Sequence, residues 1–294
     1  MTLHQGEIVV GEELVRRLLG EQCPQWAGLE LVPSGAGTEN TMFRLGADLL
    51  VRLPRTVEKA AALRKERVWL PRLAPHLPFR VPEPVFTGEA SAVFPAEWSV
   101  FRWIGGSEAG PGSVADWGRF GSDLAGFVRA LHRVDLMGAD FSWYRGGDLA
   151  PCAGWVSDSL ESCRALVGAE LDIATAESYW RAGLAQPPSP HPKVWLHGDL
   201  KPTNLLVEEG RLVAVIDFGA VSVGRPDAEH ATVWDLPSAA RDAYWNALNL
   251  DEPTWLRARA WAVAVAASGI AYYWDTFPAF VTECRTRLTH ILSS

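Results

Sequence analysis

The chain has 294 residues, 48% hydrophobic and 21% charged, with a formal net charge of -8. That length allows one large domain or two lobes. The acidic balance argues against a nucleic-acid partner, which calls for a basic face; it permits a cationic substrate without requiring one. Cys23, Cys152, Cys163 and Cys284 are scattered and show no Cys-x-x-Cys spacing, so neither a disulfide framework nor a zinc site is expected, and a reducing compartment is. The N-terminus lacks a basic region with an apolar core, and nowhere is there an apolar run of about eighteen residues, so the expectation is a cytoplasmic chain without membrane contact. Of the 14 tryptophans, most are expected in core packing and some along a pocket.

In chain order, residues 11–22 place Leu14, Leu18 and Leu19 at helical spacing. Alternation on both sides of the Gly-rich SGAGTEN (34–40) predicts strands at about 29–33 and 40–45. DLLVRLPR predicts a third strand ended by Pro54. Residues 56–73 read as a helix with a kink or break at Pro71. The proline-rich PHLPFRVPEPVF reads as extended, EWSVFRWIGG as a strand stopping at Gly105 and Gly106, and GSEAGPGS as a linker. A lobe boundary is placed here, giving units 1–106 and 107–294. Beyond it, Phe120, Leu124, Phe127 and Leu131 keep helical register, and 154–184 hold one or two more helices. The stiff QPPSPHP then leads into a strand VWL. After about residue 227 the chain reads as several helices. A β-rich first third before helices is an α+β pattern of two lobes with a cleft between them.

The stretch His197–Gly219, HGDLKPTNLLVEEGRLVAVIDFG, carries the chemistry. Asp199 and Asn204 stand in H-x-D-x-x-x-x-N spacing, and Asp217 opens an Asp-Phe-Gly after two apolar runs. The runs flank the turn EEG and read as a hairpin that brings Asn204 and Asp217 side by side. Phosphoryl transfer needs a group to orient the attacking hydroxyl, magnesium to neutralise the phosphates, and donors to hold them. Asp199 suits the first role. Asn204 and Asp217, with hard oxygen donors, suit Mg2+. Taken singly, each is a residue type that turns favour; the spacing, the hairpin and the Asp-Phe-Gly together favour the catalytic reading. His197 and Phe218 are read as braces of the loop.

These motifs resemble the aminoglycoside phosphotransferase branch of the protein-kinase-like superfamily, whose members carry H-G-D-x-x-x-x-N followed by I-D-x-G or I-D-F-G. The resemblance implies a bilobal protein-kinase-like fold, with a nucleotide-binding N-lobe and a mostly helical C-lobe that binds the acceptor. Gly198 stands where Ser/Thr protein kinases carry the Arg that answers to activation-loop phosphorylation, which implies that no such switch operates here. Lys201 looks like the lysine that contacts the transferred phosphate; a solvated loop lysine is the alternative. Gly35 and Gly37 would bring backbone N–H groups to phosphate, with Asn40 in place of the third glycine. Arg52 occupies the place of the nucleotide-binding lysine, with Glu66 as its partner. FRWIGG (101–106) would be the hinge, with Phe101 as gatekeeper and backbone near Arg102 and Ile104 meeting a purine. His132, in ALHRVD, is read as packing. In GRPDAEHATVW, Arg225 and Glu229 replace two aspartates of the family pattern.

The resemblance thus implies an enzyme that uses a nucleoside triphosphate (ATP or GTP), Mg2+ and a small-molecule hydroxyl acceptor, as a monomer or homodimer. A cationic antibiotic would call for carboxylates, for which Asp158, Glu161, Asp227, Glu229 and Asp235 are the candidates in the helical lobe. A primary-metabolic kinase on choline, a sugar or homoserine would share the catalytic residues, so only the acceptor pocket separates the two. A non-catalytic nucleotide-binding module and a protein kinase are the remaining readings. The intact Asp199, Asn204 and Asp217 argue against the former, and Gly198 against the latter.

Overall fold

A computed structural model describes residues 6–37, 39–140 and 144–294. The chain divides into two compact units, each built around its own core. The first comprises Met1–Pro75, Arg80–Gly106 and Ala214–Gly219; the second comprises His76–Phe79, Ser107–Val213 and Ala220–Ser294.

The first unit is an antiparallel sheet with two helices. The strands β1 (Leu31–Ala36), β2 (Asn40–Leu45), β3 (Leu49–Pro54), β4 (Pro84–Gly88) and β5 (Trp98–Arg102) stand in the order β1-β2-β3-β5-β4. The amphipathic helix α1 (Glu12–Gln22) buries Val15, Leu18 and Leu19 in the same cluster as Phe43, Val51, Leu53, Trp98 and Val100. Strand β1 differs from its expected span because its ladder continues past a bulge between Pro33 and Ala36, where Ala36 pairs with Thr41. Gly35 therefore lies within the strand instead of a loop. Pro33 is tolerated because β1 is an edge strand.

Helix α2 (Ala60–Leu73) begins later than expected, since residues 56–59 form turns, with the Lys59 N–H donating to the Thr56 carbonyl. Pro71 does not break it: in the last turn it removes a single backbone bond, and the chain passes into the 3-10 turn Ala74–His76. Strand β5 stops at Arg102, short of the glycine pair. Residues 214–219 join this unit through a parallel bridge between Ala214 and Arg80, where the Val215 N–H donates to the Arg80 carbonyl at 2.9 Å.

The second unit is mostly helical: α3 (Trp117–Arg133), α4 (Ala153–Val167), α5 (Ile173–Leu184), α6 (Ser238–Leu248), α7 (Glu252–Tyr273) and α8 (Pro278–Leu292). Asp116 caps α3 by accepting from the Arg119 N–H at 3.0 Å. Helix α7 is the centre of this unit. It buries Ala258, Ala260 through Ala267 and Ile270 on nearly every side, as an all-round apolar helix must, and α4, α5 and α8 pack on it.

Five short strands complete the unit and position the loop that matters most. Strand β6 (Ser107–Glu108), in the segment expected as a linker, pairs with β8 (Leu205–Glu208), which is followed by β9 (Arg211–Val215) in the same small sheet. Strand β7 (Val194–Leu196) pairs with β10 (Ser222–Gly224). Among the described residues no helix is long and apolar enough to cross a membrane.

Candidate active site

Strand β7 delivers His197, fully buried, into the loop that precedes β8. Gly198 takes φ +83°, and a Cβ there would stand 2.9 Å from the Ala220 carbonyl oxygen, so the position demands glycine on two counts. The loop then closes on itself. The Asp199 N–H donates to His197 Nδ1 at 3.2 Å, and the Lys201 N–H donates to the Asp199 carbonyl at 2.8 Å. The Asn204 side-chain amide donates to the Asp199 carbonyl at 2.8 Å and to its Oδ2 at 3.2 Å. His197 thus braces the loop, and Asp199 and Asn204, five apart in sequence, are in direct contact.

Asp199 is ringed by cations. Burial alone pushes its carboxyl up, but Arg145, then Lys201, His197 and Arg287 outweigh it and hold the carboxyl below the usual range. Arg145 Nη1 donates to the Gly198 carbonyl at 2.6 Å and reaches Asp199 Oδ1 at 3.4 Å. Lys201 is tied to α8: its Nζ lies 3.5 Å from Glu283 Oε2 and 5.2 Å from the centre of the Phe280 ring.

The three carboxylates proposed to meet an acceptor each have a partner within the protein. Asp227 is buried with Arg257, whose Nε donates to its Oδ1 at 2.6 Å. Asp235 accepts from Arg287 Nε at 2.6 Å and from Nη2. Both Glu229 oxygens face the Gly198 N–H, at 3.3 and 3.4 Å. Burial pushes the Glu229 carboxyl up to about 7, partly countered by the N–H groups of Gly198 and His197. Glu229 therefore supports the loop from beneath.

In the first unit, Arg52 and Glu66 form the expected pair, with Arg52 Nη1 2.6 Å from Glu66 Oε2 and both side chains buried. The guanidinium also reaches Asp217 Oδ1 at 3.3 Å and lies 5.2 Å from the centre of the Phe101 ring. Burial, opposed by Arg52 and helped by Asp217, raises the Glu66 carboxyl to about 7. Asp217 adopts φ +64°, a left-handed conformation that costs a non-glycine residue about 1–3 kcal/mol and concentrates at functional positions.

The Gly37 N–H bonds to the Asn40 carbonyl at 3.1 Å, and its own carbonyl accepts from Arg55 Nε at 2.8 Å. Thr38, in the middle of the expected glycine loop, lies outside the described residues. The Arg102 N–H donates to the Glu83 carbonyl at 2.9 Å, and Ile104 lies two residues beyond the strand end.

Among the described residues no three acidic, histidine or cysteine side chains cluster as a metal cage. Magnesium does not need one, since it binds through one or two side-chain oxygens and otherwise through phosphate and water. Each expected donor has the right chemistry by itself: Asn204 spends its amide N–H groups on Asp199, leaving Oδ1, and the Asp217 carboxylate is 48% exposed.

Sequence reasoning missed Arg145, Arg287, Glu283 and Phe280. None sits in a motif. Only the positive charge of the first two could have flagged them, and 27 Lys and Arg residues share that property.

A family model described as "Phosphotransferase enzyme family" matches residues 30–261. Solved structures with the same protein-kinase-like fold cover nearly the whole chain. A GDP complex of wild-type aminoglycoside 2'-phosphotransferase-IIIa aligns at TM-score 0.75 and 16% identity, over 97% of this chain and 99% of that one. The ADP-bound aminoglycoside phosphotransferase APH(2'')-Ib aligns at 0.65 and 17%, over 96% and 98%. Macrolide 2'-phosphotransferase MphH from Brachybacterium faecium aligns at 0.61 and 22%, over 96% and 98%. Comparison with curated proteins finds no match.

Proposed function

The chain belongs to the phosphotransferase enzyme family, and from that premise we propose that it moves the γ-phosphate of ATP or GTP to a hydroxyl of an antibiotic or a related small metabolite, acting in the cytoplasm as a resistance kinase. The observation that carries this reading is Asp199: a partly exposed carboxylate kept ionised by neighbouring cations and fixed by the Asn204 amide. Such a group accepts the hydrogen bond of an acceptor hydroxyl, aligns its oxygen for in-line attack and takes up its proton.

Lys201, two residues on and anchored by Glu283, would offset charge on the moving phosphoryl group. Asn204 and Asp217 would hold magnesium, which when bound neutralises the phosphate oxygens. Arg52, set by Glu66, would pair with the α- and β-phosphates through its planar fork. Gly35 and Gly37 would contribute backbone donors near the phosphates, and the chain around Arg102 and Ile104 would meet the base. Solved aminoglycoside and macrolide phosphotransferases of the same fold support an antibiotic acceptor, and four buried free cysteines suit a reducing compartment.

A nucleotide-turnover screen across antibiotics and hydroxylated metabolites tests the reading, with mass spectrometry to detect one added phosphoryl group. The Asp199→Asn variant is expected to lose turnover while keeping its fold and nucleotide affinity. Near wild-type turnover in that variant would refute the assignment.

A further inference from the structure

We propose a second small-molecule site in the helical unit, apart from the Asp199 loop, that takes an uncharged, polyhydroxylated ligand of about one sugar ring. This site is independent of the phosphotransferase reading. It is a cavity of about 240 Å³, bounded by residues 147–150, by the end of α5 with the segment that follows it, and by the first half of α7. At roughly 30 Å³ for each water, it has room for about eight waters. Of its lining residues only Trp261 also borders the space beside Asp199.

Two polar atoms of the lining residues have no hydrogen-bond partner among the described residues: Ser189 Oγ and Asp227 Oδ2. Ser189 is 5% exposed and Asp227 3%. Asp227 spends Oδ1 on Arg257, whose Nε lies 2.6 Å away, and Oδ2 is left over. An ionised carboxylate only accepts, and a serine hydroxyl both donates and accepts. What the pair lacks is therefore an O–H or N–H placed against this wall, and buried polar atoms left unmatched are costly.

Charge on the ligand is disfavoured. The charged residues of the lining are two arginines and two aspartates, already matched as Arg257 with Asp227 at 2.6 Å and Arg225 with Asp148 at 3.7 Å. An added ammonium or carboxylate would find no counter-charge in the wall. A hydroxyl gives the Asp227 carboxylate a charge-assisted hydrogen bond without that cost. The rest of the wall includes Leu149, Leu184, Pro187, Pro188 and the Trp261 indole. Apolar faces of this kind suit the C–H face of a sugar ring, whose hydroxyls then meet the few polar groups.

The test is ligand-observed NMR titration of the whole chain, without nucleotide, using the methyl glycosides of glucose, galactose and mannose as probes. At least one is expected to bind with a Kd of ~1 mM or tighter, and its amino-sugar and uronic-acid counterparts at least ~5-fold more weakly. Binding by none of the three would leave the cavity to water alone and overturn the proposal, as would a charged counterpart that binds as tightly. Ala150→Trp, from an exposed position in the lining, is expected to weaken binding at least ~10-fold by filling the space. Ser189→Ala is expected to weaken it ~3- to 10-fold by removing one hydrogen bond. Should one of these variants fail to fold, the other reads the same contrast. Asp199→Asn is expected to leave the Kd unchanged. Wild-type affinity in the two lining variants, with loss in Asp199→Asn or without it, would place the ring outside this cavity and overturn the second site.

Discussion

The Arg145 guanidinium donates to the Gly198 carbonyl at 2.6 Å from 53 positions earlier in the chain. The same side chain approaches Asp199, so the cation that the backbone at Gly198 has no room to carry is brought in from another segment. Its loss acts on the position and charge of Asp199 together. Arg145→Ala is expected to lower kcat/KM roughly 10- to 100-fold, as small displacements of a reacting group do. It also removes the strongest of the positive charges that depress the Asp199 carboxyl, so the acid limb of the pH–rate profile should move to higher pH. An unmoved limb would leave Arg145 a purely structural role.

Arg52 ties two carboxylates, Glu66 and Asp217, to one guanidinium. Arg52→Met leaves Glu66 buried without its cation, a change that typically costs about 3–5 kcal/mol. Because burial already raises the Glu66 carboxyl to about 7, that loss is expected in full near pH 8. Near pH 5.5 it should shrink, since Glu66 then carries its proton. Urea unfolding at the two pH values checks this, and equal losses would count against it.

Glu229 titrates in the opposite sense from a surface-paired carboxylate. Its folded value of about 7 lies above the ordinary 4.5, so its contribution to stability is complete below about 4.5 and is lost as pH rises through 7. The loss is on the order of 3 kcal/mol. Glu229→Gln removes the titration. The stability of the wild type relative to the variant should therefore decline between pH 4.5 and 7.5, and a difference independent of pH would place the group elsewhere in its titration.

Asp217→Ala is expected to abolish the gain in nucleotide affinity that magnesium provides, leaving metal-free affinity within a few-fold of wild type. Nucleotide titrations with and without magnesium read this directly. Alanine at 217 must keep the φ of +64° and tolerates it no better than aspartate, and folding stability should change by less than about 1 kcal/mol. If magnesium still strengthens nucleotide binding in the variant, Asp217 is not its ligand.

Much of the fold could be read from local pattern. Helical spacing of Phe120, Leu124, Phe127 and Leu131 and alternation through β2 and β3 found elements close to their observed spans. The pattern misled where pairing is settled by a distant partner. Strand β1 extends through Gly35 because β2 lies beside it, and β6 is a strand because β8 accepts it. At the site, the Asp199–Asn204 contact and the Arg52–Glu66 pair were legible, since each follows from spacing along one loop or from a family pattern. The carboxylates of Asp227 and Asp235 were legible only as charges. Nothing in their neighbourhood names Arg257 and Arg287, which lie 30 and 52 residues further on and neutralise them.

The sequence by itself determined the reaction class. The stretch from His197 to Gly219 is continuous, and covalent geometry over a tight loop and one hairpin leaves few ways to arrange it. The charge around the reacting centre was decided only by tertiary structure. Arg287 and Glu283 come from α8, which packs on the alanine-lined α7, and Arg145 comes from the 3-10 turn Tyr144–Gly146 packed beside β10. A side chain's partner in such packing is set by which faces are buried together, and no short-range periodicity encodes that.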